Sequence, residues 1–279
     1  MRYSEFTLSA PDGVQFYFQG WQPETPSKAV VCLVHGLGEH SGRYAHVAAA
    51  LNDAGYALLG LDLRGHGKSG GPRGHTPSYD TLLDDIGRLL DEAAARYPGL
   101  PRCLYGHSLG GNLVLNYALR RKPSIAGVVA TSPWLRLSSA PPAARMTLGR
   151  VMNRLLPAFV QSSGLDPTGL SRDPEVVRAY KVDPLVHDRL SARLGMAAIA
   201  NGEWAIAHAA EFPAVPLLLV HGTGDPMTSA VATQEFAAKV PGGCTLKLWE
   251  GFYHETHNEP EKAEVLAFMI DWLQKHTPA

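Results

Sequence analysis

Gly106-His107-Ser108-Leu109-Gly110 is the stretch on which the reading of the fold turns. Before it, Leu104-Tyr105 closes a short apolar run that begins near Arg102. After it, Gly111 to Arg121 has helical spacing, with Leu113, Leu115, Tyr117, Ala118 and Leu119 as apolar positions. A strand that enters a helix through so tight a turn forces the central residue into strained backbone geometry. Glycine is needed on both sides, because a side chain there would collide with the neighbouring strand and helix. The strain lifts the Ser108 hydroxyl clear of the sheet, where a base can reach it. The segment therefore reads as the nucleophile elbow of a serine hydrolase.

Working outward, Ser4 to Leu8 and Val14 to Gln19 flank Pro11-Asp12-Gly13, a hairpin signal. Strand, turn and helix then alternate. Ala29 to Val34 is a continuous apolar run, as expected of a strand buried on both faces. Tyr44 to Asp53 reads as helix and Ala57 to Leu61 as the next strand. Ser78 to Arg96 places Leu82, Leu83, Ile86, Leu89, Leu90 and Ala93 at helical spacing. Ile125 to Ala130, Val215 to Val220 and Cys244 to Trp249 are further strands, with helices after the last two. Such alternation predicts an α/β fold with a mostly parallel central sheet flanked by helices.

The rhythm breaks between Pro133 and about Trp204. Pro141-Pro142, Pro157, Pro167, Pro174 and Pro184 fall here, with no strong strand candidate, while Arg145 to Leu156 and Pro174 to Tyr180 fit helices. The expected organisation is a core from residues 1–133 and 205–279, with a helical cap over 134–204 inserted after about the sixth strand.

The 279 residues suffice for one large domain, or for one domain with an insertion. Apolar residues at 45% and charged ones at 18% are globular values that argue against disorder. A formal net charge of −1 gives no electrostatic case for a nucleic-acid partner or an anionic membrane surface. Twelve histidines mean that a lone histidine carries little weight. The first residues, Met1-Arg2-Tyr3-Ser4-Glu5-Phe6, lack the apolar core of a signal peptide, and the apolar runs are strand-length. Of three cysteines, Cys32 and Cys103 fall in predicted buried strands and read as small buried hydrophobes in a reducing compartment. A cytoplasmic location is expected.

A serine hydroxyl is a poor nucleophile at neutral pH, so it needs a base in hydrogen-bond reach and a third group to hold that base. On this kind of fold the order along the chain is serine, acid, histidine. His221-Gly222-Thr223-Gly224-Asp225-Pro226 follows the strand after the cap, which nominates Asp225 as the acid. Gly251-Phe252-Tyr253-His254 follows the last strand, which nominates His254 as the base. Acyl transfer also needs donors aimed at the oxyanion. The N–H of Leu109, after the nucleophile, is one. The other is expected from His35-Gly36-Leu37-Gly38-Glu39-His40, with Leu37 the better candidate, because the adjacent glycine lets the loop close over a substrate carbonyl.

Three competing motifs fail on spacing. Gly65-His66-Gly67-Lys68-Ser69 ends like a phosphate-binding loop, but Asp62 stands where that motif needs its first glycine, so a loop beside the active site is the better reading. His254-Glu255-Thr256-His257 is one residue too short for the zinc-protease helix motif, and no cysteine pair has zinc-ligand spacing. Neither a metal nor a cofactor is expected.

His35-Gly36-Leu37-Gly38-Glu39-His40-Ser41-Gly42-Arg43-Tyr44 resembles the H-G-x-G-E-H-S-G-R-Y segment of monoacylglycerol lipases, within the wider lysophospholipase-like family of α/β-hydrolases. Asp62-Leu63-Arg64-Gly65-His66-Gly67-Lys68-Ser69 resembles the loop that follows in them. The likeness runs on through the elbow and through Leu170-Ser171-Arg172 to Tyr180-Lys181-Val182-Asp183-Pro184-Leu185. It ends in Asp225 and Tyr253-His254-Glu255-Thr256-His257-Asn258-Glu259, so it covers nearly the whole chain after about residue 12. It implies an α/β-hydrolase with a helical cap that cleaves monoacylglycerols to fatty acid and glycerol through an acyl-enzyme on Ser108. It also implies that Glu39, Arg43, Tyr180 and His257 face the glycerol end of the substrate. The competing reading of Glu39 and Arg43 is a loop-stabilising ion pair, and for Tyr180 and His257 a packing role. A broad carboxylesterase or a lysophospholipase on the same machinery is the alternative activity, and a non-catalytic binding protein of the same fold is the alternative class.

Met146, Leu148, Val151, Met152, Leu155, Leu156 and Phe159 form an apolar stripe in the cap. Packing over the acyl tunnel and core is its first reading. The sharper one is transient contact of its outer edge with membrane or micelle surfaces that deliver a lipid ester.

Overall fold

In the computed structural model, which describes residues 1–277, β1 (Arg2–Ser9) and β2 (Gln15–Gln22) pair antiparallel about a turn in which Gly13 takes φ 83°. Beyond them come β3 (Val30–Val34), α1 (Ala45–Asp53), β4 (Ala57–Leu61), α2 (Tyr79–Arg96), β5 (Arg102–His107), α3 (Leu109–Arg121) and β6 (Gly127–Thr131). The cap stretch holds α4 (Ala143–Leu155), β7 (Val160–Ser162), α5 (Pro174–Val182), β8 (Arg189–Ser191) and α6 (Ala192–Ala207). Then follow β9 (Leu217–Gly222), α7 (Ala230–Lys239), β10 (Thr245–Trp249) and α8 (Lys262–His276). The main sheet has eight strands in the order β1-β2-β4-β3-β5-β6-β9-β10, parallel from β4 to β10. With helices on both faces, this is the α/β-hydrolase fold.

The continuous apolar run of β3 is explained by its two neighbours. Strand alternation sends Val30, Cys32 and Val34 into one core with α2 and α3, and Val31 and Leu33 into a second core with α1 and α8. A strand flanked on both faces cannot afford a polar side. Cys32 and Cys103 lie fully inside, and Cys32, Cys103 and Cys244 are all free thiols.

The inserted stretch differs from the sequence reading in three respects. Where no strand was expected, β7 and β8 form a short antiparallel ribbon, Val160 opposite Ser191; three residues are too few to display an alternation. The boundary expected at residue 204 falls inside α6, whose buried face (Leu194, Ala198, Ala205, Ile206) joins the core shared with α2 and α3. Asn112 and Asn116 of α3 clamp α6 by donating to the carbonyls of Ala198 and Asn201, at 3.2 and 3.1 Å. Finally, α4 has no buried residue. Leu148, Val151, Leu155, Leu156 and Phe159 are exposed, so the packing reading of the stripe fails for them; only Met146 and Met152 are half-buried. Among the described residues no helix is long and apolar enough to cross a membrane.

Candidate active site

Ser108 sits between β5 and α3 with φ 53° and ψ −113°. Left-handed backbone of this kind costs a non-glycine residue on the order of 1–3 kcal/mol and persists only where the surroundings over-determine it. Here Ser108 N donates to Thr131 O at 3.0 Å, while its carbonyl accepts from Asn112 N at 3.0 Å and Trp134 N at 2.9 Å. The flanking glycines are obligatory. A Cβ on Gly106 would strike the Gly110 carbonyl, and one on Gly110 would strike the carbonyl of Val34.

The loops after β9 and β10 bring Asp225 and His254 together: His254 Nδ1 donates to Asp225 Oδ2 at 2.7 Å, and both side chains are buried. The other carboxylate oxygen, Oδ1, accepts from the backbone N–H of Met227 at 2.7 Å and Thr228 at 3.1 Å. Thr228 Oγ1 also lies 2.8 Å from Oδ2. Burial by itself would raise the Asp225 pKa, but the facing His254 and the hydrogen bonds from His221 and His254 hold it far below the carboxylate range. Burial by itself would also lower the pKa of His254; attraction to Asp225 outweighs that and leaves it above the ordinary histidine value.

His35 to His40 lies against Ser108, since a Cβ added to Gly36 would come within 3.2 Å of Ser108 Cβ. His35 braces this loop. Its Nε2 accepts from Leu63 N at 2.9 Å, so its Nδ1 carries the proton and donates to Gly36 O at 2.8 Å. His66, in the loop Gly65 to Ser69, packs its ring 5.4 Å from that of His35, and the loop contributes no residue to the pocket lining. Leu109 is the first residue of α3, where a backbone N–H has no carbonyl one turn back to bond. Leu37 lines the pocket beside it.

A narrow pocket opens over these groups, lined by Gly36, Leu37, Glu39, Ser108, Tyr180 and His254 among others, with Leu165, Leu170 and Met227 on its apolar side. Of the four residues assigned to glycerol, Glu39 and Tyr180 line it. Arg43 and His257 stand behind its wall. The Arg43 guanidinium forks onto Glu255 at 2.6 and 2.8 Å, and Nη1 also reaches Glu39 Oε2 at 2.7 Å. Glu39 Oε1 in turn accepts from Gly36 N at 2.6 Å and from Tyr44 OH at 2.8 Å. Arg43 therefore ties the Gly36 loop to the His254 loop, with the Tyr180 ring 4.8 Å away over its charge. Although burial alone would raise Glu255, Arg43 holds it well below the usual carboxylate range. His257 is buried between the Tyr44 ring, 4.9 Å away and stacked, and the His107 ring, 4.9 Å away edge-on, with both ring nitrogens unpartnered. Burial pushes it down to about 3, a neutral packing imidazole near pH 7.

Backbone and side chains from residues 169–187 complete the site. His254 N donates to Gly169 O at 3.3 Å and Glu255 N to Leu170 O at 2.7 Å. His187 N reaches Gly38 O at 2.9 Å, and His40 Nε2 reaches Asp183 Oδ2 at 2.9 Å.

The partnership of Glu255 with Arg43, 212 positions apart, left no mark in the local sequence. Thr228 and His221, both on Asp225, were likewise missed, although His221 opens the segment that nominated the acid.

Residues 25–261 match the family described as serine aminopeptidase, S33. The chain is 36% identical to a monoacylglycerol lipase of Mycolicibacterium smegmatis, over 98% of each chain. An uncharacterized abhydrolase domain-containing protein of Dictyostelium discoideum is 37% identical over 99% of this chain, which spans only 29% of that longer protein. Among solved structures, the monoacylglycerol lipase of Paleococcus ferrophilus superposes with a TM-score of 0.86 at 39% identity, covering 94% of this chain and 99% of that one.

Proposed function

This chain belongs to the serine aminopeptidase S33 family of hydrolases, and on that premise we propose that it cleaves monoacylglycerols to fatty acid and glycerol through an acyl-enzyme on Ser108. Ser108 Oγ attacks the ester carbonyl as His254 takes its proton. His254 then protonates the departing glycerol oxygen, and a water activated by the same imidazole releases the fatty acid. Asp225 holds the proton of His254 on Nδ1, which leaves Nε2 free to act as base, and stabilises the imidazolium that forms. The N–H groups of Leu37 and Leu109 receive the developing oxyanion, each worth roughly 10²–10³ in turnover.

The observation that carries this reading is the His254–Asp225 pair at 2.7 Å opening onto the same pocket as the strained Ser108. Ester rather than peptide chemistry is favoured by the pocket's charges. An aminopeptidase needs a free carboxylate for the substrate's ammonium, and the two carboxylates lining this pocket, Glu39 and Glu255, both bond Arg43. Glu39 and Tyr180 are the residues we assign to the glycerol end, with Arg43 and His257 supporting that wall from behind. The cap, residues 134–204 in this reading, meets lipid surfaces through Leu148, Val151 and Leu155 of α4, which also carries Arg145, Arg150 and Arg154 and no acidic residue. Three free thiols fit a reducing compartment such as the cytoplasm.

Initial rates on mono-, di- and triacylglycerols and on p-nitrophenyl esters, with Ser108→Ala as control, test the assignment. A strong preference for the monoacylglycerol, abolished in the variant, is expected. Rapid hydrolysis of short p-nitrophenyl esters with little on monoacylglycerol would leave a general esterase instead.

A further inference from the structure

We propose that His221 is a positioning residue for this reaction, locking the Asp225 carboxylate in the rotation that keeps Oδ2 in line with His254. The proposal rests on the reading of Ser108, Asp225 and His254 as the catalytic set.

His221 lies near the end of β9 and is fully buried, as is the Asp225 side chain. Its Nε2 is 3.1 Å from Asp225 Oδ2 and 3.2 Å from the carbonyl oxygen of Thr228. Neither the carboxylate nor the carbonyl can donate, so the proton is on Nε2. On the other side of the ring, Nδ1 lies 2.8 Å from Thr233 Oγ1, in the first turn of α7. With Nε2 protonated, a neutral ring leaves Nδ1 as an acceptor, and the Thr233 hydroxyl supplies the proton. The tautomer is thereby fixed by a helix that touches no substrate.

Asp225 Oδ2 thus holds two imidazole N–H groups, one from the base and one from a histidine outside the pocket. The remaining partner of Oδ2 is Thr228 Oγ1, whose single proton has a second acceptor in Ser132 O at 3.1 Å. The Met227 and Thr228 N–H groups hold Oδ1, and on Oδ2 His221 is the committed donor besides the base itself, so the carboxylate is held at both oxygens against rotation. In the transition state, when His254 becomes an imidazolium, a carboxylate already seated needs no reorganisation. Loss of that seat acts on the chemical step and spares substrate binding.

Two amide substitutions separate donation from mere space-filling. Glutamine places its side-chain nitrogen near the position of Nε2, whereas asparagine places it near Nδ1, out of reach of Asp225. On p-nitrophenyl butyrate, His221→Asn should lower kcat by about 10- to 100-fold, the scale of a misplaced catalytic group, with KM changed less than about threefold. His221→Gln should restore kcat to within about threefold of the parent enzyme. Equal losses in the two variants, or full activity in His221→Asn, would overturn the proposal. Should neither variant fold, Thr233→Val decides: it keeps the side chain's size and removes the proton that sets the tautomer. A drop in kcat of about three- to tenfold at constant KM is then expected, and an unchanged kcat overturns the idea. Fluorophosphonate labelling of the parent protein and of Ser108→Ala keeps the two readings apart. Labelling that survives in Ser108→Ala removes the catalytic assignment itself, whatever the His221 variants do.

Discussion

The loop that carries His254 and the helix α4 are built on opposite terms. Around His254 every charge is engaged: Asp225 by two imidazoles and two backbone N–H groups, Glu255 by Arg43, Glu39 by Arg43, Tyr44 and Gly36. Along α4 nothing is buried, and Leu148 and Leu155 are 60% and 69% exposed. Burying one such side chain fully would stabilise the fold by about 1.5–3 kcal/mol. A helix that leaves several in water is shaped for something other than stability. The buried charges around His254 are fully partnered, while the apolar side chains of α4 are left in water.

Breaking the rigid side should have the largest effect. Arg43→Gln strands two buried carboxylates, Glu39 and Glu255, and removing one partner of such a cluster costs about 3–5 kcal/mol. At about 2–4 °C per kcal/mol for a chain of this size, thermal unfolding should show Tm lower by roughly 10 °C; a shift under about 2 °C would mean the network is not held as described. The pH profile probes the same side more gently. His254 must be neutral to accept the proton of Ser108, and its pKa is raised. Activity is therefore lost as pH falls through that raised value, so kcat/KM on a soluble ester should decline below a midpoint above about 6.5. A midpoint beneath that would contradict the Asp225 pairing. The smallest effect belongs to α4. Changing Leu148, Val151 and Leu155 together to serine should leave Tm within about 2 °C, since exposed substitutions cost little. Hydrolysis of micellar monoacylglycerol should nonetheless fall about five- to tenfold, about 1–1.4 kcal/mol of lost surface contact. Equal losses on p-nitrophenyl butyrate would remove the lipid-contact role.

The strands and the serine–acid–histidine order were legible because each is a local signal. A run such as Ala29 to Val34 or the elbow at Ser108 contains its own reason in a few consecutive residues. What escaped depended on residues distant in the chain. The resemblance places Arg43 and Glu39 at the substrate, with an ion pair between them as the competing reading; the pair is present, Glu39 also lines the pocket, and the Glu255 that Arg43 meets is 212 positions away. His257 is placed at glycerol by the resemblance, with packing as the competing reading, and its ring stacks on Tyr44 with the His107 ring edge-on to it. The extent of α6 escaped in the same way. Its apolar pattern is helical throughout, and its join to the core is made by contacts distant in the chain, among them the bonds from Asn112 and Asn116 of α3.

The hydrogen bonds from His254 N and Glu255 N to the carbonyls of Gly169 and Leu170, with that from His187 N to Gly38 O, bear on how this scaffold can be re-engineered. A cap is commonly regarded as an exchangeable cassette, grafted from one enzyme to another to alter substrate range. Here residues 167–187 are part of the frame that holds the loops of Gly36 to Glu39 and of His254, so a wholesale graft would disturb that frame. The span bearing α4, residues 139–156, contributes no residue to the pocket and none of these bonds, so it is the stretch that substitution can vary while leaving this frame its own.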